Sequence, residues 1–176
     1  MKKIISVCML SLFLFNSLSL QAFAKEYSNI QWDWYFKPNK NNERPTTERE
    51  FAEMLDKYGG MFIAEPSKKE LYLTFDNGYE QGYTGDILDV LKAKNVPAAF
   101  FVTGHYIKEE PELVKRMVKE GHIVGNHSFH HPNFAKTSNA DIREELVSVE
   151  ELFTKVTGEQ MPKYLRPPRG IFSERT

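Results

Sequence analysis

The stretch Glu70-Leu71-Tyr72-Leu73-Thr74-Phe75-Asp76-Asn77-Gly78 sets the reading of this chain. Its first six residues form an apolar, β-prone run, which predicts a strand over 70–75. The polar triplet Asp76-Asn77-Gly78 ends it. A helix follows over 84–94, with Ile87, Leu88 and Leu91 on one face. Ala98-Ala99-Phe100-Phe101-Val102 is then a continuous apolar run after Pro97, as expected of a strand buried on both sides. The alternation continues. A helix is predicted over 111–120, with proline in its first turn and Gly121 as its stop. His122-Ile123-Val124-Gly125 reads as a third strand. A long helix is predicted over 138–156, with Ile142, Leu146, Val149, Phe153 and Val156 spaced by four, three, four and three. Ser138 and Asp141 form its capping pair, and Gly158 ends it. Lys163-Tyr164-Leu165-Arg166 reads as a fourth strand. Strands alternating with helices through short connections imply parallel pairing, hence an α/β layer or barrel. Four strands are fewer than the roughly eight of a closed barrel, and no helix follows the fourth. The expectation is an α/β fold incomplete at its C-terminus, with the fourth strand an exposed edge.

Upstream, residues 25–69 form a polar arm. Ile30-Gln31-Trp32-Asp33-Trp34-Tyr35-Phe36 concentrates aromatics that either pack as a wrapping arm or stack on sugar rings. A short helix is expected over 46–58, stopped by Gly59-Gly60. At the start, Met1-Lys2-Lys3 leads into a mostly apolar run, and Ala22-Phe23-Ala24 offers a small-x-small cleavage site. This is the pattern of a secretory signal peptide over 1–24, with an uncleaved anchor as the alternative. The run is short and speckled with serine for a spanning helix, so no stable span is expected after cleavage. Cleavage also removes Cys8, the only cysteine, so the exported chain holds itself by a core rather than by disulfides. A net charge of −1 provides no basic surplus for a nucleic-acid partner.

Three polar clusters follow strand ends, where parallel α/β folds place their sites. They are Asp76-Asn77-Gly78, Asn126-His127-Ser128-Phe129-His130-His131-Pro132 and Arg166-Pro167-Pro168-Arg169-Gly170. His127 and His131 are four apart, which on a helical turn would bring both rings within reach of one ion, zinc or a similar metal. The same spacing also suits a surface or capping pair. His130 should point elsewhere. Asp76 and Asn77 suit a plain turn as well as a split of roles between metal and proton handling.

Taken together, these clusters carry a resemblance. Thr74-Phe75-Asp76-Asn77-Gly78-Tyr79-Glu80 resembles TFDDGP, His127-Ser128-Phe129-His130-His131-Pro132 resembles H-[ST]-x-x-H-P, and Arg166-Pro167-Pro168-Arg169-Gly170 resembles R-x-P-x-G. These are the first three motifs of the polysaccharide deacetylase family (NodB homology, carbohydrate esterase family 4), in the family's order, over roughly residues 70–170. The resemblance implies a deformed (β/α) barrel of the NodB type, with 70–176 as a partial deacetylase domain. It implies Asp76 as catalytic base, Arg166 as its hydrogen-bonding partner, and one divalent ion, zinc, on His127, His131 and Asn77. It implies hydrolysis of N-acetyl groups, with the ion as Lewis acid. Asn77 replaces the family's metal-binding aspartate and Tyr79 its proline. This variant, with the Trp-rich arm and Ala99-Phe100-Phe101-Val102-Thr103-Gly104-His105-Tyr106, resembles the delta-lactam-biosynthetic de-N-acetylases of spore-forming bacteria. The implied substrate is N-acetylmuramic acid in spore-cortex peptidoglycan, reached outside the cell. Chitin or xylan as substrate, or a non-catalytic glycan- or metal-binding remnant, are the alternatives. The family's fourth motif and its Leu-x-x-His motif, with the general-acid histidine, have no counterpart. A slow or inert chain of marginal stability is therefore expected.

Overall fold

A computed structural model describes residues 27–64 and 67–176; the expected leader over 1–24 lies outside the described residues. The arm contributes β1 (Trp32–Asp33), then a hairpin of β2 (Phe36–Lys37) and β3 (Thr46–Thr47), and helix α1 (Arg49–Tyr58). Helix α1 thus begins three residues later than expected, because Thr46 and Thr47 pair with Lys37 and Phe36 instead. The aromatic arm packs: Trp32 and Trp34 meet the buried Phe51 edge-on at 5.5 and 5.1 Å, while Tyr35 and Phe36 stay exposed.

The site-bearing part follows as β4 (Thr74–Asn77), α2 (Thr84–Lys94), β5 (Ala99–Val102), α3 (Gly104–Glu109), α4 (Pro111–Lys119), β6 (Ile123–Asn126) and α5 (Asn139–Thr157). The chain closes with β7 (Ile171–Phe172), antiparallel to β1. Strands β4, β5 and β6 form a parallel sheet in that order, as the alternation predicts. Helices α2, α4 and α5 fall where the periodicity puts them. Ser138 caps α5 by accepting from the Asp141 N–H.

Two expectations are corrected. The first sheet strand is not 70–75: it starts at Thr74 and runs through Asp76 and Asn77, so these two belong to the strand rather than to a turn after it. Leu71 and Tyr72 are left exposed. The fourth strand reduces to a single parallel bridge, Leu165 to Asn126, held by Asn126 N–H to Tyr164 O (2.8 Å) and Arg166 N–H to Asn126 O (3.0 Å). Pro162, Pro167 and Pro168 flank it, and proline supplies no N–H to extend a ladder.

One face of the sheet makes the core. Phe100, Val102 and Val124 pack against Leu88, Tyr106, Ile107, Val114, Met117, Val149 and Phe153, all 0–1% exposed. Truncating such a residue as Phe100 to alanine costs about 3–5 kcal/mol. The register fixes what the other face carries. Asp76, Phe101 and Gly125 stand side by side across the three strands, and so do Asn77, Val102 and Asn126 on the core face. Strand alternation therefore sends the adjacent Asp76 and Asn77 to opposite faces.

Candidate active site

Asp76 is held from the third cluster. Arg166 donates from Nη1 to Asp76 Oδ1 at 2.6 Å and from Nη2 to Thr74 Oγ1 at 2.8 Å, and its guanidinium lies 4.2 Å from the Phe101 ring centroid. The ring can approach because Gly125 stands beside it: a Cβ there would sit 2.8 Å from the Phe101 ring and 3.0 Å from Tyr164 O. Asp76 keeps 45% of its side chain exposed, so its carboxylate is both oriented and reachable.

His127 and His131 come together with ring centroids 4.9 Å apart, edge to face. They do so without the helical turn that their spacing suggested. The connecting loop instead takes left-handed backbone at Ser128 (φ 65°) and His131 (φ 60°), each a strain of about 1–3 kcal/mol for a non-glycine residue. A set of side-chain bonds holds that shape. Ser128 N–H donates to Asn126 Oδ1 (2.8 Å), and His131 N–H donates to Ser128 Oγ (3.0 Å). Glu145 Oε2 accepts from the Phe129 and His130 N–H groups at 2.8 and 2.7 Å. His130 turns outward to Glu145 Oε1, as expected.

The ring nitrogens are sorted by their partners. His127 Nδ1 lies 2.8 Å from Arg166 O, a carbonyl that only accepts. The proton therefore sits on Nδ1 and the Nε2 lone pair is free, the state a metal ligand needs. Burial first, then the proximity of His127 and Arg169, lower the His131 pKa against the pull of Asp76, which favours a neutral ring. Asn77 is 9% exposed, with Nδ2 directed to Thr84 Oγ1 at 3.4 Å and a buried Oδ1 that has no hydrogen-bond donor. Its hydrogen bonds run to the α2 side rather than to either histidine. Among the described residues, no three His, Cys, Asp or Glu side chains gather around one point. The two imidazoles and the orphaned amide oxygen are lone-pair donors of the kind a divalent ion takes.

Of the five residues singled out in the sequence, Asp76 and Arg166 are in direct contact, and His127 is joined to Arg166 and paired with His131. Glu145 was missed because its bonds to Phe129 and His130 reach across fifteen or sixteen residues, and Ser128, Glu80 and Tyr106, though within the quoted motifs, were given no role. A faint signal existed for Glu80, an acid just ahead of the α2 N-terminus.

A family profile described as polysaccharide deacetylase matches residues 64–176. Peptidoglycan-N-acetylmuramic acid deacetylase PdaA of Bacillus subtilis is 45% identical over 174 residues, covering 99% of this chain and 65% of that protein. An uncharacterized 30.6 kDa protein of Geobacillus stearothermophilus is 56% identical over 149 residues, covering 85% of this chain and 56% of that one. The solved structure of Bacillus subtilis PdaA, a family 4 carbohydrate esterase, superposes with TM-score 0.79 at 48% identity, covering 84% of this chain and 63% of that one. The chain thus spans 56–65% of the length of these two curated relatives.

Proposed function

The chain belongs to the polysaccharide deacetylase family, and from that premise we propose that its rim site takes part in removing N-acetyl groups from peptidoglycan amino sugars. N-acetylmuramic acid is the sugar, on the route to muramic delta-lactam in spore cortex, and the reaction takes place outside the cell after export. The observation that carries this reading is the meeting, at the C-terminal ends of the parallel strands, of an oriented, half-exposed carboxylate with two paired imidazoles. The 45% identity to a muramic acid deacetylase over nearly the whole chain supports the sugar.

Asp76 accepts the proton of the water that attacks the acetyl carbon. Arg166 occupies Oδ1 and is itself pinned by Thr74 and Phe101, which leaves the second carboxylate oxygen for that water. The C–N bond breaks, acetate leaves, and the sugar nitrogen takes up the proton that Asp76 removed from the water. His127 and His131, with Asn77 Oδ1, would hold a divalent ion, and the imidazole donors favour zinc. That ion supplies Lewis-acid polarisation of the acetyl carbonyl and of water. Acetate released from N-acetylated glycan strands is the measurement. Asp76→Asn should lower the rate by about 10²–10⁴-fold, and muramic-acid-bearing strands should be deacetylated in preference to chitin oligomers. A rate indifferent to Asp76 overturns the assignment.

A further inference from the structure

Glu80 has no task in that reaction, yet it is one of the most fully bonded acids among the described residues. Its Oε1 accepts from the Gly82 N–H at 2.7 Å and the Thr84 N–H at 3.1 Å, and its Oε2 accepts from the Tyr106 hydroxyl at 2.8 Å. The Thr84 hydroxyl bonds to it as well. Burial opposes the charge, but the bonds from Thr84, Tyr106 and Gly82 outweigh it and hold the carboxyl down to about 2. An ionised carboxylate only accepts hydrogen bonds. Tyr106 is fully buried, and its hydroxyl donates its one proton to Glu80 Oε2. Each hydroxyl has one proton: Tyr106 turns its own to Glu80 Oε2, and Thr84 turns its own towards Glu80 or Tyr106 rather than towards Asn77. Towards Asn77, Thr84 and Tyr106 can therefore offer only lone pairs.

Asn77 answers with its nitrogen. Nδ2 donates to Thr84 Oγ1, and the Asn77 side chain also bonds to the Tyr106 oxygen. Flipping the amide would set its oxygen against two lone-pair-bearing oxygens and lose these bonds. We infer that Glu80, acting through the hydroxyls of Thr84 and Tyr106, fixes which way round the Asn77 amide sits, leaving Oδ1 rather than Nδ2 as its free donor toward a metal ion. Glu80, Thr84 and Tyr106 are thus positioning residues. The inference rests on the reading of Asn77 as a ligand, and it explains how an amide can serve there. A carboxylate has two equivalent oxygens and needs no such brace, whereas an amide presents either a ligand or a repelling N–H.

That asymmetry gives the test. Zinc is titrated calorimetrically into the chain, into Thr84→Val, Thr84→Ser and Tyr106→Phe, and into the same variants carrying Asn77→Asp. In the asparagine background, Thr84→Val should weaken zinc binding by about tenfold, the lower end of the effect of a ligand's supporting partner. Thr84→Ser should restore it to within about twofold, and Tyr106→Phe should weaken it in the same direction. In the Asn77→Asp background the Thr84→Val loss should shrink below about twofold, since no orientation remains to be fixed. An equal loss in both backgrounds makes Thr84 merely structural and overturns the inference. The underlying reading is tested separately by His127→Ala/His131→Ala: unchanged zinc affinity in that variant removes the metal site itself, whatever Thr84 does.

Discussion

His122 and His127 stand at opposite ends of β6, both buried, and hydrogen bonds give their rings opposite tautomers. At the base of the sheet, the Ala98 N–H donates to His122 Nδ1 at 3.2 Å. That nitrogen carries the lone pair, so the neutral ring bears its proton on Nε2, which is buried with no acceptor. At the rim, His127 Nδ1 faces the Arg166 carbonyl and must carry the proton, leaving Nε2 as a free ligand. A cleft of about 840 Å³ opens beside His122, lined by Leu91, Val96, Pro97, Arg116 and Glu120, while the paired carboxylate and imidazoles lie at the other end. Hollow space and available lone pairs thus lie at opposite ends of the sheet.

The largest expected effect separates the two rings by metal affinity. On the proposed function, His127→Ala should weaken zinc binding by more than about a hundredfold, since it removes a proposed ligand rather than a ligand's support. His122→Ala should leave zinc affinity within about twofold, because the rings are separated by the length of β6, roughly 16 Å at about 3.3 Å per residue. It should instead cost about 1–3 kcal/mol of stability by stranding the Ala98 N–H. Calorimetry and urea unfolding check the pair. Equal zinc losses in both variants would break the contrast.

A second contrast uses two glycines at the same two ends. Gly125→Ala at the rim should cost about 1–3 kcal/mol, because the new Cβ meets both the Phe101 ring and the Tyr164 carbonyl. Displacing Phe101 also moves the surface on which Arg166 rests, so acetate release should fall with stability. At the base, Gly121 has a φ of 82° and nothing within 4 Å of a Cβ. Gly121→Ala should cost about 1–2 kcal/mol through backbone strain alone and leave zinc binding unchanged.

The same division marks what the sequence could disclose. The strand–helix alternation and the bounds of α2, α4 and α5 were legible because each rests on a local apolar period facing one sheet. The three rim clusters were legible because strand ends are where polar runs stand out. Helix α3 was not, being six residues long and capped by Thr103 within a phrase that reads as the exit of a strand. The pairing of β1 with β7 joins Trp32 to Phe172, and no local pattern announces a partner so far along the chain. The closure of His127 on His131 was expected for the wrong geometric reason. Two left-handed residues and Glu145, fourteen positions beyond His131, bring it about, and none of these is visible as a period.

The smallest expected effect is on the pH dependence of stability. Burial lowers the His122 pKa below its usual 6.5; Glu120 opposes the shift and Arg116 adds to it. The folded state therefore resists the proton that the unfolded chain takes up readily. The unfolded state binds more protons as pH falls through 6.5, so His122 contributes stability that is complete above that pH and declines below it. His122→Asn keeps an acceptor for the Ala98 N–H while removing the titration. Urea midpoints for the two proteins at pH 7 and pH 5 should show the parent losing more stability than the variant. Glu80 acts in a lower window. With its folded carboxyl near 2 against an ordinary 4.5, its contribution is present above pH 4.5 and is lost as pH falls toward 2. A decline between pH 7 and 5 that is identical in the parent and in His122→Asn would show that the base imidazole exchanges protons as freely folded as unfolded. The buried, proton-bearing Nε2 at the base would then not be the counterpart of the free Nε2 at the rim.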